Sequence, residues 1–284
     1  MKRSLRWLGA LVLVLAFYLL GNLGMEKLLP TAANPPSQST SAPGGQSTAG
    51  SSAASSSAAG SSTASSAASS AASADAAAAA KAAQAQAQLD DWRMILVSPV
   101  NPMPDGYIVE TKACNNDTTN NTLQTEAAEA FLQMKTAAAA DGVTLHLQSG
   151  YRSVEYQSSL FDRQIQKWKD AGMSEADAIA KAKTIVTPPG CSEHNCGLAA
   201  DINSPEYTAL EEPFKNTNAY AWLCAHAEEY GFILRYPQDK EDITGIIYEP
   251  WHWRYVGVEN ARLINESGLC LEEYVEQLRL DAAL

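Results

Sequence analysis

A long segment without core-forming side chains constrains this chain more than any other feature. From about residue 30 to residue 88 the sequence consists almost entirely of Ser, Ala, Gly, Thr, Gln and Pro. Such a segment buries too little apolar surface to offset the entropy that ordering it costs. We therefore predict a disordered linker over residues 30–88. Only its Ala-rich stretch, residues 76–87, favours a frayed helix.

The residues before this linker predict a membrane anchor. Lys2, Arg3 and Arg6 precede an apolar run that extends from residue 7 to about residue 23. A run of this length reaches the ~17–25 residues that a helix needs to span a bilayer. Basic residues before the run keep the N-terminus in the cytoplasm. We expect a single transmembrane helix within residues 1–29 and the rest of the chain outside the cytoplasm. A cleavable signal peptide, which would give a secreted protein, is the alternative.

The remaining segment, residues 89–284, is long enough to form one domain with its own core. It contains 15 Lys and Arg against 30 Asp and Glu, hence a net charge of −15. This balance argues against binding to nucleic acid, which requires a basic surface. Acidic pairs such as Glu272 and Glu273 are interpreted as solvated surface. The five cysteines of this exported segment allow one or two disulfides, whose pattern the sequence leaves open: Cys114, Cys191, Cys196, Cys224 and Cys270.

Helix and strand patterns are mixed along the domain. Apolar spacing, capping residues and terminal glycines predict helices over residues 126–140, 153–170 and 218–230, one after Ser174, and two near the C-terminus. Alternating or β-rich runs predict strands at residues 143–148, 198–202, 232–235 and 248–256. Because these elements do not alternate strictly, we predict an α+β fold with a small, largely antiparallel sheet flanked by helices.

Two stretches concentrate side chains that bind metals. SEHNCGLAAD contains His194 and Asp201, and EPWHWRYVG contains His252. Two His nitrogens and one Asp oxygen leave one position of a tetrahedral zinc site open for the water that is to be activated. Glu249, three residues before His252, is a candidate base for the proton of that water. Pro250 disfavours a continuous helix here, so we expect a bend that turns Glu249 and His252 toward one metal.

A third stretch, SGYRS, supplies a candidate cation. Its Arg152 follows a predicted strand and precedes a predicted helix, a position where functional side chains collect. A guanidinium group can bind a carboxylate or stabilise the oxyanion of a tetrahedral intermediate. Arg152 therefore suits a role beside the metal, and it offers an acidic domain the local cation that an anionic ligand requires.

Together SGYRS, SxHxxGxAxD and ExWHxRYVG resemble the VanY-type zinc D,D- and L,D-carboxypeptidases, relatives of the D-Ala-D-Ala dipeptidases and of the hedgehog signalling domain. The resemblance covers about residues 91–273. It implies that His194, Asp201 and His252 bind zinc, that Glu249 is the general base, and that Arg152 binds substrate and stabilises the developing oxyanion. It also implies further substrate contacts from Gln157, Ser192, Tyr236 and Trp251. The sequence departs from the familiar pattern at Cys196, where a hydroxyl or small residue is more usual, and at the additional Cys191.

The function implied by the resemblance is zinc-dependent hydrolysis of the terminal D-alanine from peptidoglycan stem peptides, with one Zn²⁺ per domain in a monomer. The motifs do not encode whether pentapeptides (D,D) or tetrapeptides (L,D) are preferred, nor whether the enzyme serves wall maturation or antibiotic resistance. An endopeptidase of the same fold is one alternative. A non-catalytic cell-wall binding module is another, although the presence of Glu249 and Arg152 argues against it.

Overall fold

A computed structural model of the chain describes residues 62–114 and 121–284. The helices of these residues are α1 (Ser62–Leu89), α2 (Thr125–Ala140), α3 (Val154–Asp170), α4 (Glu175–Lys183), α5 (Asn218–His226), α6 (Glu241–Thr244), α7 (Val258–Ser267) and α8 (Leu271–Ala282). The strands are β1 (Thr111–Ala113), β2 (Thr122–Gln124), β3 (His146–Ser149), β4 (Ala199–Asn203), β5 (Phe232–Leu234) and β6 (His252–Tyr255). Short 3-10 helices cover Trp92–Met94, Glu193–Cys196, Glu212–Asn216 and Ala227–Tyr230.

The central sheet of the described residues has the strand order β3-β4-β6-β5, and every pairing in it is antiparallel. Strands β1 and β2 form a separate antiparallel pair. Strand β4 is buried along its whole length and lies between β3 and β6. The predicted α+β fold with a small, largely antiparallel sheet is confirmed; β4 has the predicted length, and β3, β5 and β6 are shorter than predicted.

Helix α2 shows why the core forms beside this sheet. Its residues Ala127, Phe131, Met134 and Ala138 recur at helical spacing and are fully buried, which is the stripe of a helix that packs on one face. The helix begins where the side chain of Gln124 accepts hydrogen bonds from two backbone N–H groups of its first turn. The stripe packs in one cluster with the inward-facing residues of the sheet. A second cluster joins α7 and α8 to the edge of the sheet.

Helix α1 differs from the prediction for the linker. The chain is helical from Ser62 to Leu89, which confirms the helix favoured over residues 76–87 and contradicts the disorder expected over residues 62–75. The last turns of α1 pack on α8, where Ala85 is buried and the Gln88 side chain accepts a hydrogen bond from the Tyr274 hydroxyl at 3.1 Å. Small Ala side chains let two helices approach closely, but the composition of the segment does not reveal that α8 is available to pack against it. Residues 30–61 lie outside the described residues.

Two further predictions concern the anchor and the cysteines. The predicted transmembrane helix at residues 1–29 lies outside the described residues, and no helix in residues 62–114 and 121–284 is long and apolar enough to cross a membrane. The cysteines all lie within the described ranges, and each is a free thiol there. The structure therefore contains neither of the disulfides that the composition allowed.

Candidate metal centre and active site

The predicted metal ligands meet on the central sheet. His194 lies in the 3-10 helix before β4, Asp201 lies on β4, and His252 begins β6. Asp201 and His252 are direct cross-strand partners. One ligand atom from each of the three buried side chains lies within 4.8 Å of the others. The pairing of β4 with β6 therefore brings the motif of His194 and Asp201 together with the distant motif of His252.

The hydrogen bonds of these side chains leave the metal-binding atoms available. His194 Nδ1 donates to the carbonyl oxygen of Gly150 at 2.7 Å, so the lone pair of Nε2 faces Asp201 Oδ2 at 3.2 Å. His252 Nδ1 lies 3.1 Å from Asp201 Oδ1. Asp201 Oδ1 is buried and has no hydrogen-bond partner, which is unusual for a carboxylate oxygen unless a cation contacts it. Two nitrogens and one oxygen in this arrangement fit a zinc ion.

The charges in the site are strongly perturbed. Burial and the nearby Arg152 lower the pKa of His194 to about 4, which keeps this imidazole neutral, as a ligand must be. Burial opposes the charged form of His252, but the carboxylates of Asp201 and Glu193 outweigh it and raise the pKa to about 9. Burial raises the pKa of Glu249 to about 8. A divalent cation in the site would displace the proton of His252 and favour ionised Glu249, since it adds the largest local positive charge.

Glu249 reaches the donor set through a turn. Its carboxylate oxygen Oε2 lies 3.5 Å from His252 Nδ1, and the side chain is buried. The backbone N–H of His252 donates to the backbone carbonyl of Glu249 at 3.1 Å and closes a turn over Pro250 and Trp251. The bend that Pro250 predicted is confirmed, and it places the carboxylate beside the metal-binding atoms.

Arg152 contacts the donor set at Asp201 Oδ2, the oxygen that also faces His194 Nε2. Its Nη2 donates to Asp201 Oδ2 at 2.5 Å, and its Nε donates to Ser149 Oγ at 2.9 Å. Its backbone N–H donates to the His194 carbonyl at 3.0 Å, and its own carbonyl accepts a hydrogen bond from the side-chain Nδ2 of Asn195 at 2.7 Å. The SGYRS and SEHN stretches are thus joined by main-chain contacts, and the guanidinium group lies at the edge of the site.

All the predicted site residues line one cavity of about 200 Å³. They are Arg152, Gln157, Ser192, His194, Asp201, Tyr236, Glu249, Trp251 and His252. An apolar wall that the sequence did not predict comes from Ile185, Val186, Leu210 and Ile246. The arrangement brings a metal donor set, a buried carboxylate and a cation to one small cavity, while the individual roles stay predictions.

Sequence reasoning missed a group of charged residues behind the site. Glu193, Arg235 and Arg254 are almost completely buried, and both arginines form ion pairs with Glu193. Glu272, interpreted above as solvated surface, accepts two hydrogen bonds from Arg235 at 2.6 and 2.7 Å, so that interpretation is wrong. The available signal was the presence of charged residues inside motifs whose other members are buried.

Two His and one Asp, gathered at a small antiparallel sheet beside a buried carboxylate, match the ligand pattern of mononuclear zinc hydrolases. Residues 120–258 match the family described as VanY, D-alanyl-D-alanine carboxypeptidase. The chain is 40% identical over 190 residues to a D-alanyl-D-alanine carboxypeptidase of Enterococcus faecalis, covering 67% of this chain and 68% of that protein. The chain belongs to the VanY family of zinc carboxypeptidases, which confirms the resemblance seen in its motifs.

Solved structures agree with this assignment. VanYB in complex with D-alanine-D-alanine is 41% identical, with a TM-score of 0.59 over 66% of this chain and 98% of that one. A VanY D,D-pentapeptidase in complex with Zn(II) is 41% identical, with a TM-score of 0.58 over 65% and 99% of the two chains. The LD-carboxypeptidase LdcB is 38% identical, with a TM-score of 0.55 over 64% and 84%. The structural neighbours thus include both D,D- and L,D-enzymes.

Proposed function

We propose that this protein removes the terminal D-alanine from peptidoglycan stem peptides with one zinc ion held by His194, Asp201 and His252. The observation that carries the proposal is the convergence of these three side chains within 4.8 Å, beside a buried Glu249. The donor set leaves a tetrahedral position open, as catalytic zinc sites do. The substrates named for the related VanYB and LdcB structures support the peptidoglycan assignment.

The roles of the protein side chains follow from their positions. Zinc, when bound, supplies a Lewis acid that polarises the scissile carbonyl and makes water acidic enough to act near neutral pH. The Glu249 carboxylate accepts the proton of the attacking water and delivers it to the leaving nitrogen of D-alanine. The Arg152 guanidinium stabilises the negative charge that develops on the carbonyl oxygen. Gln157, Ser192, Tyr236 and Trp251 line the cavity and contact the peptide.

The carboxypeptidase relatives favour a carboxypeptidase over an endopeptidase, and the cavity is compatible with that activity. Its volume of about 200 Å³ lies below the ~300–1,000 Å³ of pockets that enclose larger ligands. A space of this size, with an apolar wall, suits one small terminal residue. A non-catalytic binding module would have no use for the buried Glu249. Both D,D- and L,D-activity remain within the proposal.

The proposal also includes the location and organisation of the chain. Residues 1–29 anchor the protein in the cell membrane with the N-terminus inside, residues 30–61 form a linker, and a monomeric catalytic domain over residues 89–284 acts outside the cytoplasm. The basic residues before an apolar run support this orientation. Helix α1 connects the linker to the domain and contributes its last turns to the folded part.

The test compares the zinc-loaded protein with its Glu249→Ala and Glu229→Ala variants on muropeptide pentapeptide and tetrapeptide. Glu229 is an exposed carboxylate outside the cavity, so its variant controls for the loss of one negative charge. Release of D-alanine, followed by mass spectrometry, should require zinc and disappear only in Glu249→Ala. The preferred peptide then distinguishes D,D- from L,D-activity. Internal cleavage would favour the endopeptidase, and zinc binding without any cleavage would favour the binding module.

A further inference from the structure

The imidazole of His252 lies between two carboxylates. Its Nδ1 faces Asp201 Oδ1 at 3.1 Å, and its Nε2 faces Glu193 Oε2 at 3.6 Å. Both His252 Nε2 and Glu193 Oε2 are buried, and neither has a hydrogen-bond partner. The 3.6 Å separation is longer than a hydrogen bond, so the two atoms lie within reach of each other without being bonded. A buried donor and a buried acceptor thus face each other on the side of the ring away from Asp201.

The other oxygen of Glu193 is fixed by two arginines. Glu193 Oε1 accepts a hydrogen bond from Arg235 Nε at 2.7 Å and forms an ion pair with Arg254 Nη1 at 2.7 Å. The side chains of all three residues are 0% exposed. A carboxylate removed from water in this way stays charged only because cations compensate for the lost hydration. Glu193 therefore presents a fixed negative charge to His252.

The arginines are held by partners outside the site. Arg254 Nη2 donates to the carbonyl oxygens of Arg93 and Ile95, each at 2.8 Å. Arg235 donates through both terminal nitrogens to the Glu272 carboxylate, which lies in the first turn of α8. Contacts therefore run from the C-terminal helix through Arg235 and Glu193 to the imidazole ring.

We propose that Glu193 is a positioning residue for His252: it accepts a hydrogen bond from Nε2–H and so directs Nδ1 toward the metal, with Arg235 and Glu272 holding the carboxylate in place. The inference rests on the metal site of the proposed function. A histidine that ligates through Nδ1 carries its proton on Nε2, and ligand histidines commonly donate a hydrogen bond from this N–H to a carboxylate, which fixes the tautomer and the ring orientation. The geometry supplies that carboxylate in Glu193.

A purely structural role is the competing explanation. The four residues Glu193, Arg235, Arg254 and Glu272 carry no net charge together and could serve only to stabilise the fold. The two roles differ in their effect on metal binding. Loss of a structural ion pair lowers stability and leaves zinc affinity per folded molecule unchanged, whereas loss of a positioning residue weakens zinc binding by ~10–100-fold.

The experiment measures zinc affinity of the folded protein by competition with a chromophoric chelator, together with thermal unfolding of the metal-free form. Glu193→Gln keeps the shape of the side chain and removes its charge, and we expect its zinc affinity to fall ~10–100-fold. Glu126→Gln is the matched control. Glu126 also pairs with an arginine, Arg93, and accepts from the Tyr255 hydroxyl, but it lies outside the cavity. It should lower the unfolding temperature and leave zinc affinity unchanged.

The outcomes separate this inference from the proposed function. Wild-type zinc affinity in folded Glu193→Gln would overturn the positioning role. If that variant does not fold, Glu272→Gln decides: it leaves Glu193 intact and removes the charge that holds Arg235, so weaker zinc binding supports the inference and unchanged binding overturns it. His194→Ala tests the metal site itself, because unchanged zinc binding in that variant would contradict the proposed function instead.

Discussion

Replacing Gly150 with alanine should damage the site through a single close contact. A Cβ atom at this position would lie 2.1 Å from the carbonyl oxygen of Thr122. Gly150 is absent from the residues with a left-handed φ, so the backbone conformation itself accepts alanine. The clash matters because the Gly150 carbonyl accepts the hydrogen bond from His194 Nδ1 at 2.7 Å. Any movement that relieves the contact shifts the carbonyl group that orients His194, a proposed metal ligand.

The size of the effect follows from the contact distance. Cβ atoms approach other heavy atoms at no less than 3.0 Å, so Gly150 and Thr122 must separate by about 1 Å. A misplacement of ~1 Å in catalytic geometry costs about 100-fold in rate, and overpacking costs ~1–3 kcal/mol of stability. At ~2–4 °C per kcal/mol for a domain of this size, the unfolding temperature should fall by several degrees.

The assay is kcat/KM for D-alanine release, measured beside thermal unfolding of Gly150→Ala and Gly142→Ala. Gly142 has φ of +79° and no atom within 4 Å of its hypothetical Cβ, so its variant pays only the left-handed strain of ~1–2 kcal/mol. It should lose stability and keep its activity. Wild-type activity and unfolding temperature in Gly150→Ala would refute the reasoning, since they would mean that β2 and β3 can separate without disturbing His194.

Three further perturbations test other parts of the structure. Arg152→Lys keeps the charge, but a lysine cannot contact Asp201 and Ser149 together. D-alanine release should therefore fall ~100–1,000-fold, with unchanged thermal unfolding. Retained activity would contradict the proposal that the guanidinium group stabilises the developing oxyanion. In metal-free protein, burial raises the pKa of Glu249 from 4.5 to about 8, so its ionisation makes folding less favourable as the pH rises between these values. Urea unfolding with a chelator should therefore show Glu249→Gln gaining stability relative to wild type from pH 5 to pH 8. If the unfolding free energies of the two proteins change in parallel with pH, Glu249 does not have a raised pKa in the folded protein. A chain that begins at residue 90 lacks the packing of Ala85 on α8. It should therefore unfold at a lower temperature than a chain that begins at residue 73, and the two should have equal kcat on soluble peptides. Equal unfolding temperatures would show that α1 adds no stability.

The sequence predicted the donor set because its information is local. His194 and Asp201 lie within one short motif, Glu249 and His252 within another, and chemistry restricts which side chains can serve a metal. The apolar stripe of α2 was equally predictable, since a helix that packs on one face repeats its buried residues at fixed spacing. These features need no knowledge of what lies across the domain.

Features that depend on distant partners were not predictable. Glu193 and Arg235 are separated by 42 residues, and the sequence does not show that the two charges meet in the interior. The interpretation of Glu272 as solvated surface was wrong for the same reason. In the sequence, nothing distinguishes Ala85 from the other alanines of its segment; its burial depends on packing against α8. The contact of Gly150 with Thr122 likewise exists only after β2 and β3 have come together.

The pairing of Asp201 with His252 links metal binding to the alignment of strands during folding. A slip of one residue between β4 and β6 would turn one of these side chains to the other face of the sheet, and the two could no longer share an ion. Zinc therefore binds tightly only to chains whose central strands are correctly aligned, and it stabilises that alignment over its neighbours by mass action. Where zinc is available while the chain folds, the ion would therefore favour the native alignment of the sheet as well as serve the proposed reaction.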